Sequence, residues 1–114
     1  MSVFNRAAAL DYVGHDIEFL RELLTMLRES RTEATERIAA AIENNDSHEL
    51  REAAHRLKGM LGTFYSIHAA ETAEQLEQQG KAGSLDSAAD LFSLLDRQID
   101  ELCEAVNSLV AELE

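Results

Sequence analysis

The chain contains no proline and only five glycines among its 114 residues. Val, Ile, Phe and Tyr are few, whereas Ala, Leu and Glu dominate. Proline breaks helix interiors, and β-branched and aromatic residues favour strands. The balance therefore disfavours a sheet and favours long helices. A single cysteine, Cys103, excludes an internal disulfide and gives no sign of an oxidising compartment. Basic runs are absent as well: the net charge is -12, with 22 acidic residues against 10 basic ones. A duplex-binding surface needs a basic stripe, and so does an anionic membrane surface. Neither nucleic acid nor a membrane is an expected partner. No apolar run approaches the length of a membrane span. Met1-Ser2-Val3-Phe4-Asn5-Arg6 has no charged-then-apolar signal pattern, so the expected location is the cytoplasm.

What is present is helical periodicity. The length and the apolar content, nearly half of all residues, suit one domain over residues 1–114 with one core. A short first helix is expected from Asn5 to about Tyr12, with Asn5 as N-cap, Phe4 as half of a hydrophobic staple and Gly14 as stop. Asp16 can cap a second helix reaching about Glu43. Its stripe is Ile17, Leu20, Leu24, Leu27, Ala34, Ile38 and Ala41, interrupted by Arg31. Asn44-Asn45-Asp46 reads as a tight turn, and Asp46 with Glu49 resembles a capping box.

The third helix carries Leu50, Ala53, Ala54, Leu57 and Leu61, and is expected to break near Gly62–Tyr65. Ser66 can cap a fourth, with Ile67, Ala70, Ala73 and Leu76 on its stripe and Gly80 and Gly83 at its end. In the last helix Leu85, Ala88, Phe92, Leu95, Ile99, Leu102, Val106, Leu109 and Leu113 form an a/d seam. Short connections make neighbours antiparallel. The expected fold is all-α, an antiparallel up-down-up-down four-helix bundle with a short extra N-terminal helix.

The informative stretch is Ala54-His55-Arg56-Leu57-Lys58-Gly59-Met60-Leu61-Gly62. At about 100° per residue the five apolar positions of this helix cluster within about 50° of one direction, and His55 lies about 140° away. His55 therefore faces solvent. Gly59 follows it by one turn and Gly62 by nearly two, on the same side. Glycine inside a helix costs roughly 1 kcal/mol relative to alanine, in a chain rich in alanine. The missing side chains leave one flank of the imidazole open to a bulky partner. Lys58 at i+3 can reach a group attached to the ring, and Arg51 at i-4 can add a second positive charge. A neutral imidazole nitrogen is a nucleophile, and a phosphoryl group on it, nearly doubly negative, needs such cations in an acidic protein.

Other readings stand beside this one. A solitary surface histidine is usually a solvated residue. Glu52-Ala53-Ala54-His55 has the Glu-x-x-His spacing of di-iron bundles, but no second such motif exists and His55 points outward. His48 with Glu52 and His55 could bind a metal adventitiously, while His15 and His68 read as surface. Glu77 reads as a surface or boundary carboxylate, and Cys103 as a partly buried hydrophobe. The 85–113 seam also permits a structural adaptor that binds a partner helix or self-associates.

His55-Arg56-Leu57-Lys58-Gly59 resembles the His-x-Leu-Lys-Gly signature of histidine-containing phosphotransfer (HPt) domains of two-component phosphorelays. Leu50-Arg51-Glu52-Ala53-Ala54 is similar to the approach to that histidine, Leu76-Glu77 to a pair in the next helix, and Phe4-Asn5-Arg6 with Asp16 to the N-terminal pattern. The resemblance implies a four-helix bundle whose exposed histidine shuttles phosphate between receiver-domain aspartates. It implies His55 as phosphoacceptor through Nε2, Lys58 as phosphate stabiliser and Gly59 as the opening for the receiver, with Arg51, Gly62 and Glu77 in support. It also implies no ATP binding and no cofactor, with Mg²⁺ on the partner receiver. The expected partners are response-regulator receivers and a sensor or hybrid histidine kinase, and the expected state is a monomer. Met1 and the compact length lean toward a free-standing protein. Met60 and Tyr65 depart from the family, which often has a small residue and a glycine there.

Overall fold

A computed structural model describes residues 4–114 of the chain; Met1 to Val3, part of the stretch without a signal pattern, lie outside the described residues. Five helices follow in order: α1 (Arg6–Tyr12), α2 (Ile17–Glu43), α3 (Ser47–Thr63), α4 (Ile67–Ala82) and α5 (Ala88–Leu113). Three begin on the expected caps. The side chains of Asn5, Asp16 and Asp46 accept from the backbone N–H groups of Ala8, Phe19 and Glu49 respectively. Phe4 and Ala9 are both buried, as a hydrophobic staple requires. The capping box at Asp46 is only half made. Glu49 turns away to Arg37 of α2 at 2.5 Å, and Asp46 N–H donates to the Ala41 carbonyl. Ser66 occupies the N-cap of α4 without making the cap hydrogen bond.

Connections of three residues join α2 to α3 and α3 to α4, and five residues join α4 to α5. Short loops force antiparallel neighbours. Contacts of α2 with α3, α3 with α4, α4 with α5 and α5 with α2 close the ring of four, as expected. The 27 residues of α2 and 26 of α5 set the 45 Å long axis, since a helix rises about 1.5 Å per residue. Within the ring, Leu95, Ile99, Leu102, Val106 and Leu109 of the a/d seam are buried. The seam is core and is not free for a partner helix. Leu85 precedes α5 rather than opening it, and Leu113 is exposed. Cys103 is buried, and burial pushes its thiol pKa up. No helix among the described residues is long and apolar enough to cross a membrane.

Arg31, which interrupts the α2 stripe, is an interhelical tie. Burial works against its charge, but ion pairs with Asp100 at 2.5 Å and Asp96 at 2.8 Å on α5 outweigh it and raise its pKa. Ile17 and Ala34 lie at the edge of that stripe, half-buried, and Leu23 joins the core beside it.

The largest correction concerns α4. Ile67 is 65% exposed and Ala70 half-buried; the core face is Ala69, Thr72, Ala73, Leu76, Glu77 and Gly80. Ile67 sits in the first turn, beyond the end of the core, so counting from it shifts the stripe. Gly80 does not end α4 either. The helix runs on to Ala82, and Gly83 at φ 72° makes the left-handed cap. A Cβ on Gly80 would lie 2.7 Å from the Ser47 carbonyl oxygen and from Arg51 N, so this glycine is where α4 and α3 approach backbone to backbone.

Tyr65 closes the α3–α4 turn at φ 55°, the left-handed position where a glycine is easiest. Its N–H donates to the Gly62 carbonyl at 3.0 Å, and its own carbonyl accepts from Asn5 N–H at 3.3 Å, which pins the start of α1 to this turn.

Candidate functional site

Packing decides how α3 presents its residues. Leu50, Ala53, Ala54, Leu57 and Leu61 are all buried against the other helices. This fixes the rotation of α3 and turns His55 outward, with 64% of its side chain exposed. Gly59 and Gly62 are both exposed, and a Cβ at either would meet nothing within 4 Å. No packing demand explains them, in contrast with Gly80. They leave the ground beside the imidazole open, as the sequence suggested.

Glu77 defines the chemistry of the site. It stands on α4 opposite His55 and is only 4% exposed, so the surface or boundary carboxylate expected from the sequence is a buried one. Its Oε2 is 2.9 Å from His55 Nδ1, and its Oε1 accepts from Lys58 Nζ at 2.8 Å. A buried carboxylate without partners would be costly, and two donors from α3 offset that cost. The hydrogen bond from Lys58, with that from His55, holds Glu77 below the usual carboxylate range despite its burial. The same bond raises the Lys58 pKa.

An ionised carboxylate can only accept. In the neutral ring Nδ1 therefore carries the proton, and Nε2 carries the lone pair. The sequence alone did not distinguish the two nitrogens; the contact with Glu77 does. Nε2 is the nucleophilic atom this arrangement offers to an electrophile arriving from solvent.

The sign of the pH dependence follows. Glu77 has its pKa lowered from 4.5, so its stabilising contacts are fully present above that value and are lost as pH falls through the lowered one. Lys58 has its pKa raised from 10.5, so its share is present below 10.5 and disappears as pH rises through the raised value. Denaturant midpoints measured against pH should fall on the acid side in the native chain. In Glu77→Gln that acid limb should flatten.

The other expected residues are near but differently placed. Lys58 is clamped on Glu77 rather than free beside the ring, because the buried carboxylate attracts it; Glu74, also on α4, lies 4.0 Å away. Arg51 is exposed one turn before His55, with no ion pair among the described residues. Met60 is half-buried against the core and, with Arg56, lines a groove between α2 and α3. Among the described residues no group of three His, Cys, Asp or Glu side chains is arranged to hold a metal, so His48, Glu52 and His55 do not converge. His15 pairs with Asp11 at 3.2 Å on the surface, and His68 is exposed.

Sequence reasoning missed Lys81, whose Nζ lies 3.9 Å from Glu77 Oε2. The signal was available, since Glu77 and Lys81 are four apart on one helix.

A family model described as the Hpt domain matches residues 22–107. The fold is similar to the crystal structure of histidine-containing phosphotransfer protein B (HptB) from Pseudomonas aeruginosa PAO1. The TM-score is 0.83 at 23% sequence identity, covering 96% of each chain. No curated protein matches the chain. The matched stretch contains α3, α4 and every residue that meets at Glu77, and on that match the chain belongs to the Hpt domain family.

Proposed function

We propose that His55 is the phosphoacceptor of this Hpt domain, and that residues 1–114 form one such domain, a monomer working in the cytoplasm. Histidine phosphotransfer in phosphorelays is the role of the family. The observation that carries the residue assignment is an outward imidazole whose Nδ1 is held by a buried carboxylate, leaving Nε2 to solvent beside two bare glycines. A receiver-domain aspartyl phosphate approaches along that open flank. Nε2 forms the bond to phosphorus, and the P–O bond to the aspartate breaks, its electron pair leaving with the carboxylate. Nδ1 keeps its proton, hydrogen-bonded to the Glu77 carboxylate, so the ring becomes an imidazolium paired with an anion. The reverse sequence returns the phosphoryl group to a second receiver, and no proton need move in either direction.

Lys58, three residues after His55 on the same helix, can turn to the phosphoryl group and supply positive charge in a chain of net charge -12. Gly59 and Gly62 admit the receiver, and Arg51 adds positive potential nearby. The chain is a carrier with no kinase activity or cofactor of its own, and the divalent cation resides on the receiver. Its partners are receiver domains of response regulators and the sensor or hybrid histidine kinases that feed them.

Incubation with a panel of phosphorylated receivers should give acid-labile, base-stable phosphate on this chain, with return to unphosphorylated receivers. No transfer from any receiver would overturn the reading. Gly59→Gln separates access from folding. A helix-interior glycine is removed, so the melting temperature should rise slightly, by the equivalent of about 0.5–1 kcal/mol. Transfer should nevertheless slow at least about tenfold, because the new side chain occupies the approach surface. An unchanged transfer rate would remove the steric role of Gly59.

A further inference from the structure

Glu77 has three nitrogen-bearing neighbours, His55, Lys58 and Lys81, and only two are within hydrogen-bond distance of it. Lys58 Nζ sits 2.8 Å from Oε1 and His55 Nδ1 sits 2.9 Å from Oε2, whereas Lys81 Nζ stands 3.9 Å from Oε2, outside hydrogen-bond distance. Lys81 is half-exposed and otherwise uncommitted among the described residues. Its backbone position is fixed: the preceding residue, Gly80, packs against Ser47 and Arg51 of α3 with no room for a Cβ. The order, Glu four residues before Lys on one helix, is the favourable one for a pair.

Phosphorylation changes what this cluster must balance. The phosphoryl group adds about -1.5 to -2 charge on the far edge of the imidazole from Glu77. One ammonium cannot serve both the phosphoryl oxygens and a carboxylate on the opposite side of the ring. If Lys58 turns to the phosphoryl group, Oε1 of a buried carboxylate loses its partner, which is costly unless another cation closes in. The remaining acid nearby, Glu74 at 4.0 Å from Lys58, makes the balance worse.

Resting on the reading of His55 as phosphoacceptor, we propose that Lys81 is a positioning residue for the phosphorylated state: it takes over Glu77 as Lys58 moves to the phosphoryl group. The 3.9 Å gap is then a reserve position, closed only when Lys58 departs. Lys81 never touches the reacting atoms. It keeps Glu77 ionised and in place on Nδ1, and so keeps the phosphorylated ring oriented.

The test compares the native chain with Lys81→Met and Lys81→Arg. The measured quantity is the equilibrium constant for phosphoryl exchange with one receiver, taken over the free species, where docking contacts cancel. Lys81→Met should shift that equilibrium toward phospho-receiver about fivefold. Lys81→Arg should restore the native value, and the melting temperature of the unphosphorylated chain should be the same in all three. Native exchange in Lys81→Met overturns this inference and leaves the phosphoacceptor reading standing. A fall in the unphosphorylated melting temperature of Lys81→Met that matches the shift in exchange would make Lys81 merely structural, and also overturns it. A native chain that accepts no phosphoryl group overturns the reading beneath it.

Discussion

Replacing His55 with Gln is expected to abolish phosphoryl acceptance while leaving helicity and melting temperature unchanged. The amide of Gln is not a nucleophile, so no residual slow transfer is expected at this position. The fold should not notice, because 64% of the side chain is exposed and exposed substitutions usually stay within about 0.5 kcal/mol. The one contact at risk is the bond to Glu77, and a Gln amide N–H can still donate to that carboxylate. Circular dichroism with a phosphotransfer assay on the same preparation checks both halves. Full transfer in the variant would remove His55 from the centre of the account.

Gly80→Ala should do the reverse, damaging the fold first and the site through it. The added Cβ meets the Ser47 carbonyl oxygen and Arg51 N at 2.7 Å and Arg51 Cβ at 2.8 Å, two of them backbone atoms that cannot rotate away. Overpacking of this kind costs about 1–3 kcal/mol, set against a helix-propensity gain of about 1 kcal/mol. The net effect should be a loss of up to about 2 kcal/mol, or a fall in melting temperature of up to roughly 10 °C. Pushing α4 off α3 also draws Glu77 away from His55 and Lys58, so phosphoryl acceptance should slow as well. Gly62→Ala serves as the control. Its Cβ meets nothing, and it should be neutral or stabilising by up to about 1 kcal/mol. Equal melting temperatures for the two alanine variants would contradict the close-approach reading of Gly80.

Much of this architecture is written in local signals. Asn5, Asp16 and Asp46 cap their helices within three residues of sequence, and the apolar period of α3 turns His55 outward without help from any other element. That is why the helix starts and the exposed histidine were legible. What was hidden depends on two helices meeting. Glu77 is buried only because donors 19 and 22 residues earlier in the chain arrive to satisfy it, and no periodicity within α4 announces that. Arg31 looked like a flaw in a stripe because Asp96 and Asp100, its partners, lie on α5. Gly80 and Gly83 look alike in sequence, yet one permits contact with α3 and the other adopts a left-handed cap. Ile67 misled the register of α4 because an apolar residue at a helix end need not belong to the core.

The same division explains why Lys58 was expected near His55 but not on Glu77. Its spacing from His55 is a property of α3, whereas its resting partner is a property of α4. The proposed roles of His55 and Lys58 rest on the resemblance of their stretch to the family signature. The carboxylate selects which ring nitrogen is free.

The most direct measurement is nitrogen and phosphorus NMR of the native chain after phosphorylation by a receiver, locating the phosphoryl group on one ring atom. The account predicts a single phosphohistidine, at Nε2 of His55, with the Nδ1 proton retained and hydrogen-bonded to Glu77. Phosphate on Nδ1 of His55, or on His15, His48 or His68 instead, would contradict it.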